Sequence, residues 1–248
     1  MDYQGRKDDF ARDGYAVFEA ALDEDLLTLL RDECDGFVAR ENARMDQAGT
    51  DCLGISHRGS RYFANECQRE RPALRRMLFS PAMADICRAT LGGDAYFFLD
   101  QYVVKGPEQG MAFSWHQDSG YVVGNGGPEH RPYLTCWCPL DDATIENGTI
   151  TIIPGSHHRG LLPHTRRAGS NDLAASPPDA GVAIEAKAGT VVAFSSLLLH
   201  ASGTNRSAAP RRVYLAQYTP EPLLNPASGE PRRNAVRLLA HGRQVAFA

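Results

Sequence analysis

The spacing of apolar residues changes along the chain. Gly14-Tyr15-Ala16-Val17-Phe18 is a brief apolar run after a turn residue, and it predicts a short strand in a stretch from residue 10 to about 40. Leu26, Leu27, Leu29, Leu30, Cys34, Phe37 and Val38 then recur at helical spacing. Asp23-Glu24-Asp25 precedes them, and negative charge suits a helix N-terminus. Residues 41–65 are polar and contain glycine, which reads as a loop. Residues 72–91 carry two shorter helical patterns, divided at Ser80-Pro81 and closed by Gly92-Gly93.

From Asp94 onward the period shortens. Apolar runs at 95–104, 133–140, 148–153, 181–186, 190–199 and 211–218 are separated by Gly, Pro, Asn and Asp. Asn125-Gly126-Gly127-Pro128 and Ser176-Pro177-Pro178-Asp179 are clear breaks. No fixed-period repeat is present. Helices first and strands afterwards argue against alternating βαβ units. The order predicts a mainly β fold with flanking helices, an antiparallel sandwich or barrel long enough for the eight strands of a jelly roll. One domain over residues 1–248 is expected. It comprises a helical N-terminal part to about residue 93, a β core over about 94–220, and a Pro- and Arg-rich tail.

Composition narrows the partners. With 43% hydrophobic and 23% charged residues the chain is an ordinary globular protein rather than a disordered one. A net charge of -4 gives no basic footprint for nucleic acid. The apolar stretches are too short to cross a bilayer, and the first residues lack the apolar centre of a signal peptide. A cytoplasmic protein is expected. None of Cys34, Cys52, Cys67, Cys87, Cys136 and Cys138 forms a CxxC pair. They read as small buried residues in a reducing compartment.

Two places invite a metal. Trp115-His116-Gln117-Asp118 sets a His and an Asp two apart, and on an extended segment both project to one side. His200 closes the apolar run that begins at Val191. Together His116, Asp118 and His200 would form the two-His, one-carboxylate face of a non-haem Fe(II) site. A lone HxD among eight histidines is a weak signal, and the residues after His200 strengthen it. Ser202 lies two residues past His200, and Arg211 eleven past it. An Arg fork with a nearby hydroxyl is what the distal carboxylate of 2-oxoglutarate requires. Arg212 points to the opposite face of the same run, and periodicity alone leaves the choice between the two arginines open.

At this point the chain resembles the phytanoyl-CoA dioxygenase family of Fe(II)/2-oxoglutarate oxygenases. The likeness runs from Phe10-Ala11-Arg12-Asp13-Gly14-Tyr15 through Trp115-His116-Gln117-Asp118. It is strong from Trp137-Cys138-Pro139-Leu140-Asp141-Asp142 through Asn147-Gly148 to Ile153-Pro154-Gly155-Ser156-His157. It ends at His200-Ala201-Ser202-Gly203-Thr204-Asn205 and Arg211. The resemblance implies a double-stranded β-helix, the cupin-like jelly roll, with His116, Asp118 and His200 as iron ligands at the catalytic centre. It implies Arg211 as the 2-oxoglutarate anchor, assisted by Ser202, with Thr135 and Gln101 lining the same pocket. The implied reaction consumes O2 and 2-oxoglutarate, releases succinate and CO2, and hydroxylates an unactivated C–H bond. The expected substrate is a small metabolite or natural-product intermediate. Asp118 sets the chain apart from the related halogenases, which lack that carboxylate. The competing reading is a cupin-like metal-binding module without 2-oxoglutarate use; an Arg211 and Ser202 pair facing the metal discriminates against it.

Other features carry lesser expectations. In His57-Arg58-Gly59-Ser60-Arg61-Tyr62, Arg58 or Arg61 would recognise an acidic group on the substrate; the alternative is a solvated loop. Trp137, Tyr121 and Phe97 are candidate pocket aromatics. His157 and His158 read as a solvated turn, and Asn147-Gly148 and Asn205 as turn-shaping residues.

Overall fold

The N-terminal half forms helices because each has a face to bury or a cap to start it. The computed structural model describes residues 3–108, 111–124, 126–127, 129–166 and 173–246. Helix α1 (Tyr3–Asp13) leads into strand β1 (Tyr15–Phe18) and helix α2 (Glu24–Ala48). The side chain of Asp23 accepts from the Leu26 amide at 2.9 Å, and Gly49 ends α2 in the left-handed region at φ 63°. Three short strands follow, β2 (Cys52–Leu53), β3 (Ser56–His57) and β4 (Arg61–Asn65). Helices α3 (Cys67–Glu70), α4 (Arg75–Leu78) and α5 (Pro81–Thr90) complete this half. Ser80 caps α5 through the Met83 amide, with Pro81 at its first position.

The second half is strand-rich. It comprises β5 (Ala95–Lys105), β6 (Phe113–His116), helix α6 (Asp118–Gly124), β7 (Leu134–Pro139), β8 (Ile150–Ile152), β9 (Thr165–Arg166) and β10 (Leu173–Ala174). These are followed by β11 (Val182–Ala183), β12 (Val191–Ser195), β13 (His200–Ser202), β14 (Arg211–Thr219), β15 (Val236–Ala240) and β16 (Arg243–Gln244). The large sheet runs β1-β12-β7-β14-β5-β4-β3-β2, with β15 and β16 added beside β5. The small sheet runs β11-β8-β13-β6. All pairings are antiparallel, and the two sheets form a jelly roll.

Alternation on the large sheet separates two interiors. Leu134, Cys136 and Cys138 of β7 and Tyr214, Ala216 and Tyr218 of β14 face the helices, where they meet Leu27, Leu30, Met77 and Ile86. Trp137, Val192, Phe194 and Val213 face the small sheet and pack against Ile150, Ile152 and Ile184. This second core grades into a cavity of about 1150 Å³ to which Trp137, Ile150 and Phe194 also belong.

Several elements depart from the sequence reading. Helix α1 is not foreseen, because its apolar contribution to the core is Phe10 and most of the rest is polar. It is laced by Gln4–Asp8, Arg6–Asp9 and Arg12–Asp9 contacts. Helix α2 runs past residue 40, where its apolar stripe thins to Met45 with Glu41 buried in line, and the periodicity that marks it in the sequence fades there. The expected loop over 41–65 holds the end of α2 and three strands. On β4, Tyr62 and Ala64 face the helices, while Phe63 and Asn65 face the cavity. Polar residues on an inward face erase the alternation that would reveal a strand. The tail after Pro220 supplies β15, whose Leu238 and Leu239 are fully buried. Asn125 and Pro128 of the predicted break lie outside the described residues. Five cysteines are buried as expected; Cys52 is exposed. Among the described residues no helix is long and apolar enough to cross a membrane.

Leu30 presses from α2 onto the sheet with no exposed surface. Leu30→Ala is expected to destabilise the chain by about 2–5 kcal/mol, measured as a lower midpoint in urea unfolding at unchanged slope.

Candidate active site

The two histidines meet because two strands of the small sheet pair there. His116 ends β6 and His200 begins β13, and they are register partners. Their rings lie 4.2 Å apart, centroid to centroid. Nδ1 of His116 sits 2.6 Å from the Ser114 carbonyl, and Nδ1 of His200 sits 2.9 Å from the Leu198 carbonyl. A carbonyl only accepts, so each Nδ1 carries a proton, and in the neutral ring the lone pair lies at Nε2. Burial, then the neighbouring His200, lowers the pKa of His116 well below the usual imidazole value, against the pull of Asp118.

Asp118 joins them from the first turn of α6. Its Oδ1 is 3.8 Å from His116 Nε2 and 3.7 Å from His200 Nε2. One ligand atom from each of the three residues falls within 4.8 Å of the others. Oδ2 is occupied: the Thr135 hydroxyl donates to it at 2.5 Å, and the Gln217 amide at 3.2 Å. The sequence reading places His116 and Asp118 on one extended segment. The structure instead turns from strand to helix between them.

Gln117 fixes that turn. Its fully buried amide donates to the carbonyls of Gly160 and Leu197 at 2.9 and 2.6 Å and accepts from the Leu162 amide at 2.7 Å. Its own backbone N–H donates to His164 Nε2 at 3.0 Å. Tyr121 stands edge-on to the His116 ring at 5.4 Å and restrains it further.

Arg211 lies on the cavity face of β14. It is buried, lines the cavity, donates to the Gly148 carbonyl at 2.9 Å, and lies 5.7 Å from the Trp137 ring centroid. Its Nε is buried without a protein partner. Burial pulls the guanidinium down to about 10, still charged at neutral pH. Arg212 points the other way, into ion pairs with Asp141 at 2.7 Å and Asp35 at 3.0 Å. Ser202 lines the cavity on the same strand face as His200. Gln101 lines it farther out and donates to Asn65 at 2.8 Å.

Other expectations divide. Trp137 and Tyr121 line the cavity, whereas Phe97 faces the helices against Phe79 and Tyr218. Arg58 is committed to Asp46 and Asp51, away from the cavity wall. Arg61 is buried, donates to the Ile55 carbonyl at 2.8 Å and lies 5.3 Å from the Phe113 ring centroid. His157 is not simply solvated: a Cβ on Gly14 would stand 2.5 Å from its Nδ1. Asn147 and Asn205 shape turns through Thr144, Ala209 and the Lys105 carbonyl.

Sequence reasoning misses Gln217, Lys105, and the tail residues Asn225, Arg232 and Arg233 that reach the cavity. Gln217 carries a signal, for it shares Arg211's face at every second residue. Lys105 carries one too, a lysine at the end of an apolar strand.

Replacing Gln117 by Leu strands two carbonyls and one N–H. The variant is expected to lose about 2–4 kcal/mol of stability, measured by chemical denaturation.

The sequence of the chain matches the profile of the phytanoyl-CoA dioxygenase (PhyH) family over residues 10–213. It is 28% identical over 231 residues to the L-proline trans-4-hydroxylase of Streptomyces griseoviridis, covering 84% of this chain and 83% of that one. Its fold superposes with TM-score 0.74 on the non-haem α-ketoglutarate-dependent carbocyclase SnoK of nogalamycin biosynthesis, at 22% identity over 96% of each chain. It superposes with TM-score 0.67 on EctD from S. alaskensis, solved with 2-oxoglutarate and 5-hydroxyectoine, at 25% identity over 93% of this chain and 84% of that one. The match across most of its length, together with a His-Asp-His cluster inside a jelly roll, means that the chain belongs to the phytanoyl-CoA dioxygenase family of Fe(II)- and 2-oxoglutarate-dependent oxygenases.

Proposed function

We propose that the chain acts as one oxygenase domain, that His116, Asp118 and His200 hold Fe(II), and that Arg211 with Ser202 anchors the distal carboxylate of 2-oxoglutarate. The observation that carries this reading is the pairing of the cluster with a buried guanidinium in one cavity. The donor set fits the metal: two imidazole nitrogens with free lone pairs and one carboxylate oxygen on one side, leaving the rest of the coordination sphere to small ligands. Arg211 fits the co-substrate, because its buried Nε lacks a protein acceptor and a carboxylate would supply one. Bound there, Fe(II) with 2-oxoglutarate and O2 supplies the oxidising power for hydroxylating an unactivated C–H bond, with release of succinate and CO2.

The chain's own residues do the rest. Thr135 and Gln217 hold Asp118 so that Oδ1 faces both histidines. The carbonyls of Ser114 and Leu198 hold the imidazole tautomers. Phe98, Leu99, Val122 and Tyr133 form a separate apolar cluster that keeps water from that wall of the cavity. Polar side chains such as Glu41, Asn65 and Gln101 lie on other parts of the wall. We read the substrate as a small metabolite or natural-product intermediate with both apolar and polar parts. Six unpaired cysteines suit a reducing compartment, and we infer the cytoplasm. Arg211 facing inward weighs against a jelly-roll module that binds metal without 2-oxoglutarate.

The test is anaerobic. Fe(II) and then 2-oxoglutarate are added to metal-free protein, and the weak visible charge-transfer band of the chelate is followed. His116→Ala is expected to abolish the band. Arg211→Ala is expected to weaken 2-oxoglutarate binding by about 10–100-fold, and Arg212→Ala to leave it unchanged. Bound metal without a band in the unmodified protein would return the chain to the binding-module reading.

A further inference from the structure

Lys105 ends β5 with no exposed surface, and neither the metal cluster nor the Arg211 anchor uses it. Its Nζ lies 2.7 Å from Ser202 Oγ and 3.4 Å from the Gly148 carbonyl, and it also contacts the Gly203 carbonyl. The charged groups that face it are Arg211 from β14 and Arg61 from β4. Ser202 of β13, the Phe113 ring of β6 at 5.5 Å and the two turn carbonyls complete its surroundings. No carboxylate faces it among the described residues. Arg211 donates to the same Gly148 carbonyl, so one acceptor ties the two cations together.

A buried ammonium beside two guanidinium groups is poorly placed. Burial first, then Arg211 and Arg61, push Lys105 down to about 5. Without an anion in the pocket the amine is therefore neutral at neutral pH. A neutral amine has two N–H donors and one lone pair. The two carbonyls take the donors, and the lone pair accepts the Ser202 hydroxyl. A charged ammonium has three donors and no lone pair. The third N–H then goes to Ser202 Oγ, and the Ser202 hydrogen is released toward the cavity.

We propose that Lys105 is a positioning residue for the co-substrate: when a carboxylate arrives beside Arg211, Lys105 takes a proton from solvent and turns the Ser202 hydroxyl to donate to that carboxylate. This rests on the reading that Arg211 and Ser202 receive 2-oxoglutarate. It extends that reading by making the Ser202 donor conditional on a buried charge on a neighbouring strand.

Calorimetry tests it without turnover. Protein preloaded with Fe(II) under anaerobic conditions is titrated with 2-oxoglutarate in buffers of different ionisation enthalpy, which gives the protons exchanged per binding event. The unmodified protein is expected to take up about one proton, and its affinity to strengthen as pH falls from about 8 to about 6. Lys105→Met, similar in length and without charge, is expected to lose the uptake and to bind about tenfold more weakly. Ser202→Ala is expected to keep the uptake and bind more weakly. Adding Lys105→Met to Ser202→Ala is expected to weaken binding by less than the product of the two separate effects. A purely structural lysine would lower the melting temperature without setting the proton count. Uptake near zero in the unmodified protein overturns the proposal whether or not Lys105→Met folds, as does uptake preserved in Lys105→Met or fully multiplicative losses. Iron-loaded protein that fails to bind 2-oxoglutarate at all overturns the underlying co-substrate reading, a distinguishable result.

Discussion

Two neutral donors hold one oxygen of Asp118, and the site is organised around that contact. Thr135 and Gln217 are register partners on adjacent strands of the large sheet, and Asp118 stands on the helix that follows the small sheet. The carboxylate therefore bridges the two sheets across the cavity, where apolar packing does not. With Oδ2 occupied, Oδ1 is left toward both histidines. Neutral donors accomplish this without cancelling the negative charge, whereas an Arg in either position would neutralise it. A half-buried carboxylate so fixed has little freedom to adjust, so the backbone carrying it must be fixed as well. Gln117 and His164 do that from the other side.

Much of this is legible in the sequence, for identifiable reasons. The strand runs after Asp94 are visible because one face of each is buried, against the helices in the large sheet or against the opposite sheet in the small one, and keeps its apolar residues. The helix over Leu26 to Val38 is visible because it buries a continuous stripe. What is hidden carries polar residues on a buried face. On β4 the inward positions serve the cavity, and the strand reads as loop. Arg211 and Arg212 cannot be separated by periodicity because both faces of β14 hold large mixed side chains. Only the position of Asp35 and Asp141 outside the sandwich shows which arginine is satisfied there. Lys105 stands out as a lysine ending an apolar strand, but its setting does not show in the sequence. Its partners are two backbone carbonyls and a serine, which leave no charge pattern to read.

The Asn-Gly and His-x-Ser-Gly segments, which carry the family resemblance, have a shared steric cause. Gly148 has φ 76°, and a Cβ there would stand 2.3 Å from the Gly203 carbonyl oxygen. Only two bare backbones approach so closely. The approach aims the Gly148 carbonyl at Arg211 and brings both carbonyls within reach of Lys105. Motif and pocket are therefore one feature described at two scales.

Strand β5 has one edge covered along most of its length by β14, while its other edge is shared by β4 over residues 101–105 and β15 over residues 95–97. Those two covers lie on opposite sides of β5 in the sequence. During synthesis β4 emerges before β5, so half of that edge finds its mate at once. The other half must wait until β15 has left the ribosome. In the interval an apolar strand offers unpaired backbone groups to any neighbouring chain. Strand β15 thus acts as a closing seam over the part of that edge which β4 leaves open.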